Sequence, residues 1–290
     1  MSELFDKEFF QKLNRLKLAM NIRIDKGMSG ARKSSAKGSS VEFSDFREYI
    51  PGDDIRRIDW NVYGRLDKLF IKQFMEEKEA FYHIFVDSSA SMNFGEKKKS
   101  DMALKLAAVF VWLVQKQLDR VEILTLSDGR LDRTSPITGR SSFARMLDEL
   151  EKVSFGGTTG INEAISRAKI NGRGVTIIIS DFLDPEGIDE AIKFLNFKRQ
   201  EVMLLQVLAH EEIEFDEEGT FAIKDMETSD EVRVTMSRQT IKNYQKTLES
   251  HNQKIQRLAK KYGCAYMQIT SDEDIEKVVF ETMKQKGIFG

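Results

Sequence analysis

Residues 174–181, "GVTIIISD", are apolar at nearly every position, and that run limits the fold more than any other feature of the chain. A strand with one wetted face alternates apolar and polar residues. A strand without alternation is buried on both faces, as in a parallel sheet covered by helices. Segments 81–87 and 201–208 read as further strands of this sheet. Helical patterns fall between the strands, at about 100–118, 141–152, 161–170 and 185–198. The run "LAAVFVWLV", residues 106–114, is apolar nearly all round and marks a buried helix. "VEILTLS" and "GRLDRTS" flank Asp128-Gly129, which predicts a hairpin with a two-residue turn.

The C-terminal third continues the pattern with one interruption. Residues 211–236 are acidic and then alternating, which predicts an inserted hairpin. A long helix over about 237–262 carries Ile241, Tyr244, Leu248, His251, Ile255, Leu258 and Tyr262 at spacings of three and four. Such a stripe suits a coiled-coil seam, but a strand at "CAYMQIT" and a helix at 272–286 still follow, so packing onto the sheet is expected. The expected architecture is α/β: a doubly wound, mostly parallel sheet of Rossmann type flanked by helices, with an N-terminal helical and β extension.

That extension is placed at 1–80, packed on the main domain at 81–290. Within it, Leu4, Phe5, Phe9, Leu13 and Leu16 give an amphipathic helix over 3–22, and the basic Gly/Ser-rich stretch 23–40 reads as a solvated loop. Pro51-Gly52 marks a turn, Asp53 or Asp54 can cap the short helical turn of "IRRIDW", and "KLFIKQF" alternates as a half-buried strand does. Arg56, Arg57 and Asp59 read as a local ion-pair network holding this segment to the main domain.

Composition narrows the function classes. A net charge of −2 creates no overall field for nucleic acid. The single cysteine, Cys264, rules out an intramolecular disulfide and fits a reducing compartment, so a cytoplasmic location is expected. The N-terminal residues mix charge into every turn and do not read as a signal peptide, and the longest apolar run is about half the ~20 residues that span a bilayer. His83, His210 and His251 lie far apart without zinc-type spacing, and His83 and His251 are expected to be hydrogen-bonded in the core. Lys97, Lys98 and Lys99 precede a helix and read as solvated.

In a doubly wound sheet ligands bind beyond the carboxyl ends of the strands. Three such ends carry oxygen-bearing side chains here: Asp87, Ser89 and Ser91 in "VDSSASM"; Thr158 and Thr159 in "FGGTTG"; and Asp181 closing "IIISDF". Two carboxylates with several hydroxyls, and no thiolate or imidazole among them, suit a hard cation such as Mg2+. The plainer alternative is that Ser91, the threonines and Asp181 merely cap the segments that follow.

These five positions, Asp87, Ser89, Ser91, Thr158 and Asp181, resemble the metal-ion-dependent adhesion site of von Willebrand factor A-type domains. "YIPGDDIRRIDWNVYGRLDKLFIKQF" ahead of "VDSSASM" is similar to bacterial domain-of-unknown-function family 58, over nearly the whole chain. The resemblance implies a non-enzymatic protein-interaction module that binds a divalent metal, Mg2+ or else Mn2+ or Ca2+. Thr158, directly after the glycine pair, is the preferred threonine ligand. It also implies a MoxR-type AAA+ ATPase as partner, or a client protein that offers an Asp or Glu to the metal, with no nucleic acid and no membrane insertion. Two other readings stand beside it: a scaffold that binds partners without metal, and a Mg2+-dependent phosphoryl-transfer enzyme using Asp87, which lacks a second acid because Ser89 occupies that position.

Overall fold

The computed structural model describes residues 4–13, 15, 41–76, 80–116, 119–139, 142–170, 172–184, 187–215, 217–224, 226 and 231–279. The basic loop expected at 23–40 lies outside these residues, as does the end of the last expected helix. The chain divides into two compact units, Asp25–Glu79 and the remainder.

Among the described residues of the smaller unit, strand β1 (Val41–Glu48) pairs antiparallel with β2 (Phe70–Glu76) across a register shift between Phe43 and Asp45. Between them, Asp54 caps a 3-10 turn (Ile55–Arg57), and Asp59 caps helix α2 (Trp60–Leu66) by accepting from the Asn61 and Val62 amides. The polar side chains pair locally: Arg47 grips Asp53 at 2.8 and 2.9 Å, and Arg56 reaches Asp54 at 3.0 Å.

In the larger unit, residues 7–13 form helix α1. Phe9 and Leu13 on this helix, and Phe5 just before it, are buried in the main core, and Lys12 bonds Asp274 at 2.7 Å. Burying side chains of this size is worth ~1.5–3 kcal/mol each, enough to assign this helix to the main unit. The expected 1–80 extension is therefore not one body: its first helix belongs with the sheet domain, and residues 25–79 form the separate unit.

The main unit then runs β3 (Phe81–Asp87), α3 (Lys99–Lys116), β4 (Arg120–Ser127), β5 (Arg130–Arg133), α4 (Phe143–Glu151), α5 (Ile161–Ser166), β6 (Gly174–Ser180), α6 (Asp189–Phe197) and β7 (Gln200–Leu208). It continues with α7 (His210–Ile213), β8 (Gly219–Lys224), β9 (Glu231–Met236), α8 (Arg238–Tyr262) and β10 (Ala265–Thr270). Six strands form one sheet in the order β10-β7-β6-β3-β4-β5, parallel except for β5. The β4–β5 turn is the predicted one, with Asp128 and Gly129 both at positive φ (50° and 64°), as a type I′ hairpin requires. The inserted hairpin is β8–β9, and the long helix α8 starts on a Ser237 cap and stops at left-handed Gly263.

Helices cover both faces, which is why the central strands need no alternation. Tyr82, Ile84 and Val86 of β3 face α1, α3 and α4, while Phe85 faces α5, α6 and the Ile255–Ala259 stretch of α8. Every residue of β6 is buried. The chain leaves β3 for β4 on one side and returns to β6 on the other, so strand order reverses at β3 and opens a crevice beyond Asp87 and Ser180.

Candidate metal centre

Asp87 ends β3 fully buried, and both its carboxylate oxygens are engaged. Oδ1 accepts from the Ser89 amide at 2.9 Å, and Oδ2 accepts from the Ser180 hydroxyl at 2.6 Å. Ser88 ties the turn to β4 by donating its amide and its hydroxyl to the Leu126 carbonyl. Ser89 then opens a 3-10 turn (Ala90–Asn93), but its hydroxyl makes no capping bond. It lies 3.1 Å from the Ser91 hydroxyl, which donates to Asp181 Oδ2 at 2.9 Å. Ser89 and Ser91 thus turn their hydroxyls to each other and to Asp181, where the capping alternative would have turned Ser91 to backbone amides.

Asp181 is held just as closely. Its Oδ1 accepts from the Leu183 amide, and its carbonyl accepts from Gln206 of β7. The next residue, Phe182, is buried with a left-handed backbone (φ 53°), and its carbonyl accepts from His251 Nε2 of α8 at 2.8 Å. A non-glycine residue in that region costs roughly 1–2 kcal/mol. Here the bend follows directly on Asp181.

The glycine loop reaches the serine turn through Ala90 N to Gly157 O (3.0 Å) and Gly156 N to Ser88 O (2.9 Å). Its two left-handed glycines have a steric reason. A Cβ on Gly157 would stand 2.5 Å from the Asp128 carboxylate, and one on Gly160 would meet the Gly129 amide at 2.9 Å. Thr158 is exposed, and its amide and hydroxyl both donate to Asp128 Oδ1, at 2.8 and 3.1 Å, which holds the Asp128 carboxyl below its ordinary range. The structure thus brings Asp87, Ser89, Ser91 and Asp181 into one hydrogen-bonded set. It places Thr158 beside them with its hydroxyl turned to Asp128.

Sequence reasoning missed three members of this neighbourhood. Lys99, expected to be solvated, is completely buried at the start of α3, with Nζ 2.8 Å from Asp181 Oδ2 and 2.7 Å from Glu212 Oε1. A run of three lysines carries no sign of which one turns inward. Glu212, on α7, also accepts from the Ala209 amide at 2.8 Å; an acid four residues beyond the end of β7 was a readable signal. Ser180 was hidden as the last residue of an apolar strand. His83 and His251 do have the expected hydrogen-bonded roles, and Cys264 is buried.

The electrostatics follow from burial. Desolvation and then the neighbouring Asp181 charge push Asp87 up to about 7, against the opposing bonds from Ser180 and Ser89. Burial alone would pull Lys99 down, but Asp181 and Glu212 together hold it above its ordinary value. Burial raises Glu212, with Lys99 opposing.

No cluster of three or more His, Cys, Asp or Glu side chains placed to hold a metal occurs among the described residues. The donor set is instead two carboxylates with hydroxyl groups, all oxygen, and it fits a hard divalent cation in chemistry. Among the described residues no helix is long and apolar enough to cross a membrane.

Residues 45–254 match the family profile described as "Protein of unknown function DUF58". The chain belongs to the DUF58 family. It is 25% identical over 279 residues to the uncharacterized protein Mb1516 of Mycobacterium bovis, covering 94% of this chain and 88% of that one, and it matches Rv1480 of Mycobacterium tuberculosis to the same extent. Among solved structures, BatB from Bacteroides thetaiotaomicron aligns at 20% identity over 71% of this chain and 98% of that chain, with a TM-score of 0.46. The SpRpn10 VWA domain aligns at 10% identity over 72% and 96%, with a TM-score of 0.37. For this DUF58 member the fold is a mostly parallel six-stranded sheet with helices on both faces.

Proposed function

We propose that this DUF58 protein is a non-enzymatic interaction module of the cytoplasm that recognises a carboxylate on a partner protein through a divalent cation, Mg2+ or else Mn2+ or Ca2+. The observation that supports this best is the orientation of Ser89 and Ser91, whose hydroxyls turn to each other and to Asp181 and cap nothing. Ser89 and Ser91 would offer neutral oxygens, Asp87 and Asp181 the charge, and Thr158 a further hydroxyl on leaving Asp128. When bound, the ion would supply an open position for an outside carboxylate, a charge-assisted contact at the heart of an interface. The partner fitting the family resemblance is a MoxR-type AAA+ ATPase, or a client protein presenting Asp or Glu.

The test is an affinity capture in Mg2+, in EDTA, and with Asp87→Ala as bait. Capture of a partner by the wild type with metal alone supports the reading; equal capture in all three arms defeats it. That second outcome would favour a metal-independent scaffold, for which α2 offers Trp60, Tyr63 and Leu66, exposed at intervals of three.

A further inference from the structure

The buried lysine at the centre has a role that the adhesion reading does not supply. We propose that Lys99 is a built-in competitor for the divalent cation, with Glu212 as the anion to which its ammonium withdraws. This rests on reading the site as a divalent-cation centre and extends that reading to its control.

Three observations carry it. Asp181 Oδ2 already accepts two hydrogens, from Ser91 Oγ at 2.9 Å and from Lys99 Nζ at 2.8 Å. A cation served by Ser91 and Asp181 needs those same oxygens, and it would bring a second positive charge close to Nζ where little water screens it. Secondly, Lys99 has nowhere wet to go: it is fully buried, with the centre of the Phe94 ring 5.9 Å from Nζ. Displaced without a second anion, it would be an unpaired buried charge. Thirdly, Glu212 is that second anion, 2.7 Å from Nζ and fixed by the Ala209 amide. Three carboxylates and one ammonium surround the crevice. Lys99 therefore holds Asp181 in the metal-free protein and releases it without losing its own partner. Glu212 belongs to α7, and the neighbouring Glu211 accepts from the Glu96 amide at 2.7 Å, so a contact at α7 reaches both Lys99 and the loop before α3.

The experiment is calorimetric titration of the full chain with Mg2+, comparing the wild type with Lys99→Met and Lys99→Gln. Affinity should rise at least tenfold in both variants, while their metal-free melting temperature falls and recovers with Mg2+ more steeply than that of the wild type. If the wild type binds Mg2+ and the variants bind no more tightly, Lys99 merely positions Asp181 and the competitor role is overturned, leaving the adhesion reading intact. If neither wild type nor variants bind, both readings fall. Should the variants fail to fold, lysine-specific 15N labelling of the wild type decides. A Lys99 ammonium signal that shifts with stoichiometric Mg2+ supports competition, and one that stays put overturns it.

Discussion

The sheet buries polar groups in two places, and they are built on opposite principles. In mid-sheet, His83 of β3 and Glu122 of β4 are register partners, and Nδ1 meets Oε1 at 2.7 Å with both side chains about 1% exposed. Strand pairing fixes this contact. Among the described residues His83 Nε2 and Glu122 Oε2 have no hydrogen-bond partner, and Arg133 approaches Glu122 only to 3.7 Å. At the carboxyl end, Asp87, Asp181 and Glu212 have every carboxylate oxygen engaged, by groups from a strand end, a tight turn, two helix starts and loop amides. The first pair is set by strand register and incompletely satisfied; the second set is fully satisfied and, on the competitor proposal, exchanges partners. A ligand can enter only where partners can be exchanged, so burial of charge by itself does not mark the site.

That contrast can be broken by mutation. Glu122→Ala should have the largest effect on stability, roughly 3 kcal/mol, because it leaves a buried imidazole without its partner and opens a void. Urea denaturation reads this, and metal-dependent association should survive in the folded fraction; a Glu122 variant that folds well but loses metal dependence would erase the distinction. Ser91→Ala should leave the melting temperature nearly unchanged and weaken Mg2+-dependent association about tenfold, ~1.4 kcal/mol. Unchanged association would return Ser91 to a structural role.

Tyr266 tests the outer support of the centre. Its hydroxyl donates to Gln206 Oε1 at 2.6 Å, and Gln206 in turn holds the Asp181 carbonyl. Burial pushes this phenol up to about 12. A folded value above the unfolded one, ~10, means a stability contribution fully present below pH 10 and lost as pH rises through 12. Tyr266→Phe should therefore lose less stability across that window than the wild type, by on the order of 1 kcal/mol; identical pH profiles would refute it. Thr158→Ala should be the mildest, lowering Mg2+ affinity no more than about threefold, since its hydroxyl bonds Asp128 in the metal-free protein. A loss matching that of Ser91→Ala would make Thr158 a full ligand.

Much of this was legible in the residues. Unbroken apolar runs announced strands covered on both faces, Asp128-Gly129 announced its hairpin, and Ser237 and Gly263 bracket a helix whose stripe was already visible. Asp87, Ser89, Ser91 and Asp181 stood out because strand ends are where a doubly wound sheet collects ligands, and the structure brings the four into one hydrogen-bonded set. What escaped depended on long-range packing. An amphipathic stripe at Phe5, Phe9 and Leu13 says that one face is buried but not against what, and only the packing shows it inside the core of the sheet unit. Lys99 is chemically identical to Lys97 and Lys98, and only the positions of Asp181 and Glu212, 82 and 113 residues away, draw it inward. Thr158 turns to an aspartate that lies 30 residues earlier, across a hairpin.

The bend at Phe182 makes two demands that few amino acids meet together. Its backbone favours glycine or asparagine, while its buried position in the core on the Phe85 side of the sheet calls for a large apolar ring. Glycine would ease the first and empty the second; valine or isoleucine would fail both in shape and in backbone preference. Substitutions there should be scarcer than at the serines, whose oxygen chemistry threonine can imitate. In a collection of related chains, the narrowest spectrum of accepted residues would then mark not one of the oxygen donors of the crevice but the bend beside Asp181.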